Sequence, residues 1–381
     1  MRILQITNTY KNKYFNDNPV IKNIIYGISE DSDFYNTVAV PVKKIRPEKG
    51  FYTEVFGNVK EFTVPIFGMP YGLLIDFRLK HSGKKLTDIF CKEDFDVIHS
   101  HSFISDGYPG YLISLKTGKP LVLSINGTDV YEQLVFYPHL RKTAMKIFRH
   151  ASAVICMSSA VKERFSEILG LDKKEKDFIR VVPNGLKKSV FENSVYSASV
   201  TEPFRFIFVG KLIKLKNLRR TLKAFSMAVK NNYDFYFDIV GSGREEKILK
   251  NMVKNCGIGG RVNFSGQLSG EDVLKAVKNS SCFIMCSTKE TFGMVYIEAL
   301  SQYRPIIFSA GRGVDGLFLS EPGISCNPKD IKSIYSAMTD IYNNYSYYAE
   351  EVKKFNTDEF NFFTVENTVN TYKEIYRGVL K

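Results

Sequence analysis

The sequence lacks the long apolar runs and paired cysteines that mark several classes of protein. No apolar stretch approaches the ~20 residues that cross a membrane as a helix, so we expect no membrane span. The first ten residues, MRILQITNTY, predict a strand and contain no small-residue cleavage site, which speaks against a secretory signal. The six cysteines form no Cys-x-x-Cys pair, a pattern that predicts free thiols in a reducing cytoplasm.

Histidine is scarce, and lysine and arginine form no dense block. With only five histidines and no carboxylate cluster beside them, no metal centre is predicted, and His99 and His101 are expected to have structural or acceptor-contact roles. The net charge of +13 is spread over both halves of the chain. Such a charge suits nucleic acid, an anionic membrane surface or a phosphorylated substrate. Without a basic tail or an aromatic-basic patch, nucleic acid is the weakest of these alternatives.

What the sequence does contain is an alternation of short apolar strands and amphipathic helices, which predicts parallel α/β sheets with right-handed crossovers. The predicted strands are 2–7, 36–42, 96–101, 120–125, 152–158, 179–184, 204–210, 235–241, 261–266, 282–287, 305–310 and 323–326. Twelve strands are too many for one parallel sheet, and the polar segment 184–203 is the best candidate for a linker between two domains. We therefore expect two doubly wound domains facing each other across a cleft, with ligands beyond the carboxyl ends of the strands.

The segment CSTKETFGMVYIEAL, residues 286–300, predicts a strand end followed by a helix that opens at Phe292, Gly293 and Met294. Free N–H groups and the positive end of the dipole make a helix N-terminus an anion site. Gly293 removes side-chain bulk there, so the backbone can approach a phosphate closely.

Two glutamates flank this helix mouth, Glu290 before it and Glu298 inside the helix. At the helical rise they lie roughly 12 Å apart. That spacing suits a nucleotide sugar, with one glutamate on each sugar ring and the diphosphate between them. The alternative is a capping glutamate and a solvated helix glutamate, and the spacing alone leaves both readings open.

A second motif, FVGKLIKLKNL at 208–218, ends a strand at Gly210 and places Lys211 and Lys216 in the following loop. Fixed cations at strand ends neutralise a diphosphate and stabilise it as a leaving group. A solvated lysine-rich loop is the alternative interpretation.

Taken in order, these motifs resemble the family-4 retaining glycosyltransferases, which have the GT-B fold. The resemblance covers most of the chain and includes an extended set of motifs. They stand here as Gly210-Lys211-Leu212…Lys216, with lysine where the family usually has arginine, Glu290-x7-Glu298, Pro183-Asn184-Gly185, IVGSGREEKIL at 239–249, VNFSGQLS at 262–269, and FNFF…YKEIY at 360–376.

The resemblance implies an acceptor-side domain at 1–185, joined by a helix at 362–381 that crosses back to it, and a nucleotide-sugar domain at 186–361. It implies a hexosyl or N-acetylhexosaminyl donor carried by UDP or GDP, with Leu268 near the base, and no required metal. In such an enzyme the departing phosphate helps to deprotonate the acceptor in a front-side displacement. The acceptor is expected to be a lipid-linked or growing surface glycan, such as lipopolysaccharide or capsule.

Two departures from the family pattern fall in the first domain. The usual Gly-Gly loop after the first strand is replaced by TNTYKNKYFNDNPV at 7–20, which contains no glycine. The usual histidine near the reacting sugar carbon is replaced by Asn126, in SINGTDVY. Asparagine cannot titrate, so Asn126 is expected to orient a sugar hydroxyl rather than to transfer a proton.

The segment 137–154 predicts a basic amphipathic helix. It suits peripheral contact with an anionic membrane at its cytoplasmic face, or an ordinary packed helix with a solvated basic face. Other functional alternatives are a nucleotide-sugar epimerase, a glycogen-type transferase of the same fold, and a basic nucleic-acid-binding protein.

Overall fold

The chain forms two compact units in the computed structural model, which describes residues 1–10, 20–46, 50–68, 74–192, 196 and 203–381. The first unit comprises Met1–Met157, Val161–Pro183 and Val365–Lys381. The second comprises Ser158–Ala160 and Asn184–Thr364. The chain therefore leaves the first unit after Pro183 and returns to it at Val365.

Each unit is a parallel β-sheet with connecting helices, as the alternating sequence pattern predicts. The strands are β1 Arg2–Ile6, β2 Tyr35–Lys44, β3 Tyr52–Phe56, β4 Val59–Phe67, β5 Val97–Ser100, β6 Leu121–Ile125, β7 Ala153–Cys156, β8 Ile179–Val181, β9 Phe204–Val209, β10 Phe235–Val240, β11 Val262–Gly266, β12 Cys282–Ile284, β13 Ile306–Ser309 and β14 Gly323–Cys326. The helices are α1 Val20–Ser29, α2 Ile75–Phe90, α3 Gly107–Thr117, α4 Leu134–Phe136, α5 Leu140–His150, α6 Ser159–Leu169, α7 Lys173–Asp177, α8 Lys188–Glu192, α9 Leu218–Lys230, α10 Glu246–Asn255, α11 Gly270–Lys278, α12 Met294–Ser301, α13 Ile331–Asn343, α14 Tyr345–Lys354 and α15 Val365–Gly378. Short π- and 3₁₀-helical turns lie at Asp129–Gln133, Lys214–Lys216, Gly259–Arg261, Phe355–Glu359 and Phe360–Phe363.

The sheet of the first unit has the strand order β3-β4-β2-β1-β5-β6-β7-β8, and every pair is parallel except β3 with β4. The hairpin of β3 and β4 is absent from the strands that the sequence predicts. Its signal was the pair Gly57-Asn58 between two β-prone runs, and Gly57 has a positive φ of 56°. Strand β3 lies at the sheet edge with Tyr52, Val55 and Phe56 exposed, so it lacks the alternating burial that identifies a strand.

The sheet of the second unit has the order β11-β10-β9-β12-β13-β14 and is parallel throughout. Its central strands are apolar on both faces, as a sheet covered by helices requires. Parallel pairing brings the carboxyl ends of these strands to one edge. The loops that follow β9, β10, β11, β12 and β13 therefore share that edge, which is where a doubly wound sheet binds its ligand.

The last helix, α15, packs into the core of the first unit, which confirms the predicted return of the chain. Val369, Tyr372 and Ile375 bury their side chains against a cluster that includes Ile3 and Ile28. The two ends of the second unit meet at a parallel bridge between Leu186 and Thr364.

Helix α5 packs in the ordinary way, with Leu140, Ala144 and Ile147 in the core of the first unit. Its apolar face is therefore already covered, so only its basic face is left for an anionic surface. Of the linker candidate 184–203, α8 is helical, and residues 193–195 and 197–202 lie outside the described residues. Within the described ranges, no helix combines the length and apolarity needed to cross a membrane.

Candidate active site

The site begins where β9 and β10 end, at Gly210 and Gly241. Gly241 has a φ of 131°, and a Cβ atom built on it would overlap the carbonyl oxygen of Gly210. Its N–H donates to Gly266 O at 2.6 Å, so the end of β11 joins the same edge. Only glycine permits this close approach of backbones. Leu268, two residues further on and half-buried, lies on the loop that leads from this edge into α11.

Lys211 and Lys216 follow Gly210 in the loop after β9, but their surroundings differ. Lys211 is exposed and, within the described ranges, has no carboxylate partner. Lys216 is largely buried, and its Nζ lies 2.6 Å from Glu290 Oε2 and 3.4 Å from Met285 Sδ. The loops after β9 and β12 are tied together at this point, because the Thr288 N–H donates to Leu215 O at 2.8 Å.

The spacing of the motifs along the sequence does not predict the ion pair between Lys216 and Glu290. From the sequence, the lysine is expected to contact a diphosphate and the glutamate a sugar, as separate contacts. In the structure the two charges neutralise each other, with only 22% and 13% of their side chains exposed. An ammonium has three N–H donors, so Lys216 can hold Glu290 and still donate to a ligand.

The mouth of α12 is built as a backbone site. Gly293 precedes the helix with a φ of 85°, and a Cβ atom there would lie 2.6 Å from the Tyr296 ring. None of the described side chains caps this end, so the first-turn N–H groups of Met294 and Val295 are left for a ligand. The Phe292 side chain is buried and stacks on Phe363, so Phe292 can offer only its backbone.

Glu298 is a partly desolvated carboxylate about one turn inside α12, which begins at Met294. Burial raises its pKa above the ordinary value. In the described part of the chain its carboxylate has no hydrogen-bond or ion-pair partner. It is therefore neither the solvated helix glutamate of the alternative reading nor part of the Lys216 pair, and it is poised to accept hydroxyl hydrogens.

Two family models together match most of the chain. Residues 43–189 match the model described as Glycosyltransferase Family 4, and residues 191–357 match Glycosyl transferases group 1. The chain belongs to the family-4-like glycosyltransferases. This confirms the resemblance that the ordered motifs carry, and with it the GT-B class of fold.

Three known proteins show how broad the relatives of this glycosyltransferase are. The N-acetyl-alpha-D-glucosaminyl L-malate synthase of Bacillus anthracis is 23% identical over 89% of this chain and 87% of its own. The alpha-monoglucosyldiacylglycerol synthase of Streptococcus pneumoniae is 25% identical over 64% of this chain and 58% of its own. The crystal structure of HepE from Anabaena in complex with UDP has a TM-score of 0.70 at 15% identity and covers 99% of each chain.

One contact of Glu290 in this glycosyltransferase was not predicted, and it comes from the loop after β13. The Gly313 N–H donates to Glu290 O at 3.2 Å, and a Cβ atom on Gly313 would lie 3.0 Å from Glu290 Cγ. Arg312 fixes the same loop by donating from Nε to Thr288 O at 2.7 Å. The Gly-Arg-Gly run directly after a strand was the available signal.

In the first unit of the glycosyltransferase, the Asn126 amide is largely engaged by Thr128 in its own loop and by the loop after β5. Its Nδ2 donates to His101 O at 3.2 Å, and its Oδ1 accepts from the Thr128 hydroxyl at 2.6 Å and the Thr128 N–H at 3.2 Å. One N–H of the amide is left for a sugar hydroxyl. Asp129 fixes the loop from below and accepts three backbone N–H groups, from Phe103, Ile104 and Asn126.

His99 and His101, in the run HSHS at 99–102, are both buried and hydrogen-bonded inside the first unit. His99 bonds Tyr376 and Ser124 at 2.7 and 2.8 Å, and His101 bonds Gln5 at 2.8 Å. Burial lowers the pKa of both, that of His101 to about 3. The described residues contain no cluster of three or more side chains suited to a metal ion.

Proposed function

We propose that this glycosyltransferase moves a hexosyl or N-acetylhexosaminyl group, with retention of configuration, from a UDP- or GDP-sugar to a glycan or glycolipid acceptor. The observation that carries the proposal is the grouping on one sheet edge of Lys211, the Lys216–Glu290 pair, the uncapped mouth of α12 and Glu298. These are a cation and an uncapped helix mouth suited to a diphosphate, a charge pair suited to the transferred sugar, and a carboxylate suited to ribose hydroxyls.

Charged side chains, backbone N–H groups and an apolar side chain each hold a different part of the donor. The Glu298 carboxylate accepts hydrogen bonds from the ribose hydroxyls. These hydroxyls supply the partners that the half-buried carboxylate lacks among the described residues. The first-turn N–H groups of α12 and the Lys211 ammonium hold the diphosphate. Leu268 lies near the base. Most of the binding energy for the donor is thus assigned to backbone N–H groups and charged side chains.

Catalysis rests on charge placement. As the bond to the sugar breaks, negative charge grows on the diphosphate and positive charge on the sugar ring. Lys211 and Lys216 stabilise the first, and Glu290 stabilises the second; the Lys216–Glu290 pair is already fixed before the reaction begins. The diphosphate oxygen released on the same face accepts the proton of the acceptor hydroxyl, so the chain needs neither a second carboxylate nor a metal for this step.

The acceptor belongs to the class of lipid-linked or growing surface glycans. The name of the pneumococcal relative describes a glycolipid synthase, and that of the Bacillus anthracis relative describes transfer to malate. A lipid acceptor would place the enzyme at a membrane surface. The exposed ammonium groups of Lys142 and Lys146 on α5 suit peripheral contact with anionic lipid there.

The test compares Glu290→Gln with Glu271→Gln, an exposed glutamate of the second unit. A thermal-shift screen over nucleoside diphosphates and nucleotide sugars first identifies the donor, because binding raises apparent stability. We expect Glu290→Gln to lower the turnover number roughly a hundredfold or more, as for other electrostatic groups, with nucleoside-diphosphate affinity nearly intact. Glu271→Gln should behave as the parent enzyme. Full transfer activity in Glu290→Gln contradicts the assignment.

A further inference from the structure

A second group of charges, which the donor site does not use, lies at the carboxyl edge of the first sheet. Lys43 stands at the end of β2, Arg78 in the first turns of α2, and Asp106 at the start of α3, after β5. We call these three residues the Arg78 cluster. The three residues are 35 and 28 positions apart, so no sequence motif joins them.

Arg78 is a buried guanidinium with almost no partner. Only 8% of the residue is exposed, and among the described residues its one hydrogen bond is a long one, 3.4 Å from Nη2 to Ser105 Oγ. A guanidinium carries five N–H donors and stays charged. Burial lowers the pKa of Arg78, whereas Asp106 and Tyr137 raise it. A buried charge left in this state is costly unless a ligand completes it.

Asp106 is the acidic member of the Arg78 cluster, and its carboxyl also lacks a full set of hydrogen-bond partners. It is 1% exposed, and its Oδ1 is buried without a hydrogen-bond partner in the described part of the chain. Its Oδ2 accepts the Asn8 N–H at 3.3 Å. Burial raises the pKa of Asp106 to about 7, so near neutrality the carboxyl is often protonated and can donate a hydrogen bond. The charge of Arg78 is then only partly balanced.

Lys43 adds a second cation to the cluster. Its aliphatic chain runs against Gly68, where a Cβ atom would lie 2.8 Å from the lysine Cβ, so the glycine leaves room for it. The residue is exposed, yet burial around the ammonium lowers its pKa; Arg78 lowers it further and Asp106 raises it. The two cations are therefore near enough to repel each other, and within the described ranges Lys43 has no ion-pair partner.

We propose that the Arg78 cluster binds a phosphate group of the acceptor, with Arg78 and Lys43 as cationic donors and Asp106 as a hydrogen-bond donor to one phosphate oxygen. A site with two cations and one protonated carboxyl matches a phosphate dianion better than it matches a ligand that carries a single carboxylate. The planar fork of Arg78 bonds two oxygens of one phosphate. That the phosphate belongs to the acceptor rests on the proposed function, whereas the anion site itself is argued from residues of the first unit alone.

The test titrates inorganic phosphate into the full-length enzyme that has been saturated with its preferred nucleoside diphosphate, so that the donor site is occupied. Arg78→Gln and Lys43→Gln should each weaken phosphate binding by about tenfold or more, the loss of a charged hydrogen bond. Lys80→Gln removes an exposed cation from the same helix and should bind phosphate as the parent does. Nucleoside-diphosphate affinity should be equal in all four proteins.

Four results would overturn the proposal. Three concern phosphate: no saturable binding by the parent, equal binding by the parent and both cluster variants, or equal weakening in Lys80→Gln. The fourth is a parallel loss of nucleoside-diphosphate affinity, which would assign the cluster to the donor. If Arg78→Gln is misfolded by circular dichroism, Lys43→Gln, at an exposed side chain, decides. Arg78-dependent phosphate binding in a parent that binds no nucleoside diphosphate would refute the proposed function and leave the anion site standing.

A vesicle experiment separates the two sources of such a phosphate. Phosphatidylcholine vesicles with and without phosphatidic acid are sedimented with each protein. Binding to phosphatidic acid that is lost in Arg78→Gln and kept in Lys80→Gln identifies a lipid-borne phosphate. If the parent and Arg78→Gln bind the vesicles equally while Arg78→Gln loses inorganic phosphate, the phosphate belongs to a soluble phosphorylated acceptor.

Discussion

At the scale of single residues, burial separates the two glutamates that the sequence presents as a pair. Glu290 is held by Lys216 at 2.6 Å, so its charge is compensated before any ligand arrives. Glu298 has no such partner among the described residues, and burial alone raises its pKa. A partly buried, uncompensated carboxylate costs stability in the free enzyme, and a ligand that donates hydroxyl hydrogens recovers it.

We predict that the free enzyme carries a pH-dependent penalty at Glu298. Because the folded pKa lies above the unfolded pKa of 4.5, the unfolded state ionises first as the pH rises. Wild-type stability should therefore fall relative to Glu298→Gln once the pH passes the unfolded pKa, and the difference should level off above the folded pKa. Urea unfolding at several pH values between about pH 4 and about pH 7 measures it.

The control for this prediction is Glu271→Gln, an exposed position on α11. Replacing this side chain should not reproduce the fall in wild-type stability relative to the variant as the pH rises. The absence of that fall for Glu298→Gln would mean that the Glu298 carboxyl is solvated in the free enzyme.

At the scale of elements, the position of α12 depends on the residue before it. Gly293 turns the chain with a φ of 85° and lies against the Tyr296 ring, whose hydroxyl donates to Met285 O at 2.5 Å. The turn at Gly293 therefore places the helix mouth against Met285, the residue after β12 that Lys216 also contacts.

We predict that Gly293→Ala costs about 1–3 kcal/mol, the usual penalty for a non-glycine residue at a positive φ. The added methyl group would also displace the Tyr296 ring and the helix mouth, so nucleoside-diphosphate affinity should fall with stability. Denaturant unfolding and calorimetric titration measure the two effects. Gly270→Ala is the matched control, since Gly270 opens α11 with ordinary φ and open space around it. Unchanged affinity in Gly293→Ala would remove the diphosphate from this helix mouth.

Elements with a strong apolar pattern could be predicted from the sequence, and those defined by distant contacts could not. The predicted strands 204–210 and 235–241 fall within a residue of β9 and β10, because each is a compact apolar run that ends in glycine. The exposed aromatic strand β3 has no such pattern. Lys216 and Glu290 are 74 positions apart, and the cluster of Arg78 joins three separate elements, so only the folded chain brings their charges together.

At the scale of the whole molecule, the last helix is bound to the first unit through buried polar groups as well as apolar ones. The Tyr376 hydroxyl lies 2.7 Å from His99 Nδ1 and accepts from Gln5 Nε2 at 3.3 Å. Strands β1 and β5 carry these partners, and β6 adds Ser124 to the same network. This network fixes the register of α15 on the sheet, because an unmade bond would leave a buried polar atom without a partner.

We predict that Tyr376→Phe destabilises the first unit by about 1–3 kcal/mol, the cost of leaving buried partners unsatisfied. Hydrogen exchange followed by mass spectrometry should show faster exchange in residues 365–378 and unchanged exchange in α12. Tyr35→Phe, at an exposed tyrosine of the same unit, is the control and should leave exchange as it is. Unaltered protection of α15 in Tyr376→Phe would show that apolar packing alone holds the helix.

The return of the chain at Val365 sets an order of assembly on the ribosome. Asn184–Thr364 is enclosed between two parts of the first unit, and its ends already meet at Leu186 and Thr364. Synthesis proceeds from the N-terminus, and domains fold as units when their residues have emerged. Every residue of the second unit is therefore synthesised before α15. The first unit, whose strands are made before the second unit, is the last to receive its final helix, and until then the nascent chain exposes the apolar surface of Ile3 and Ile28 that α15 will cover.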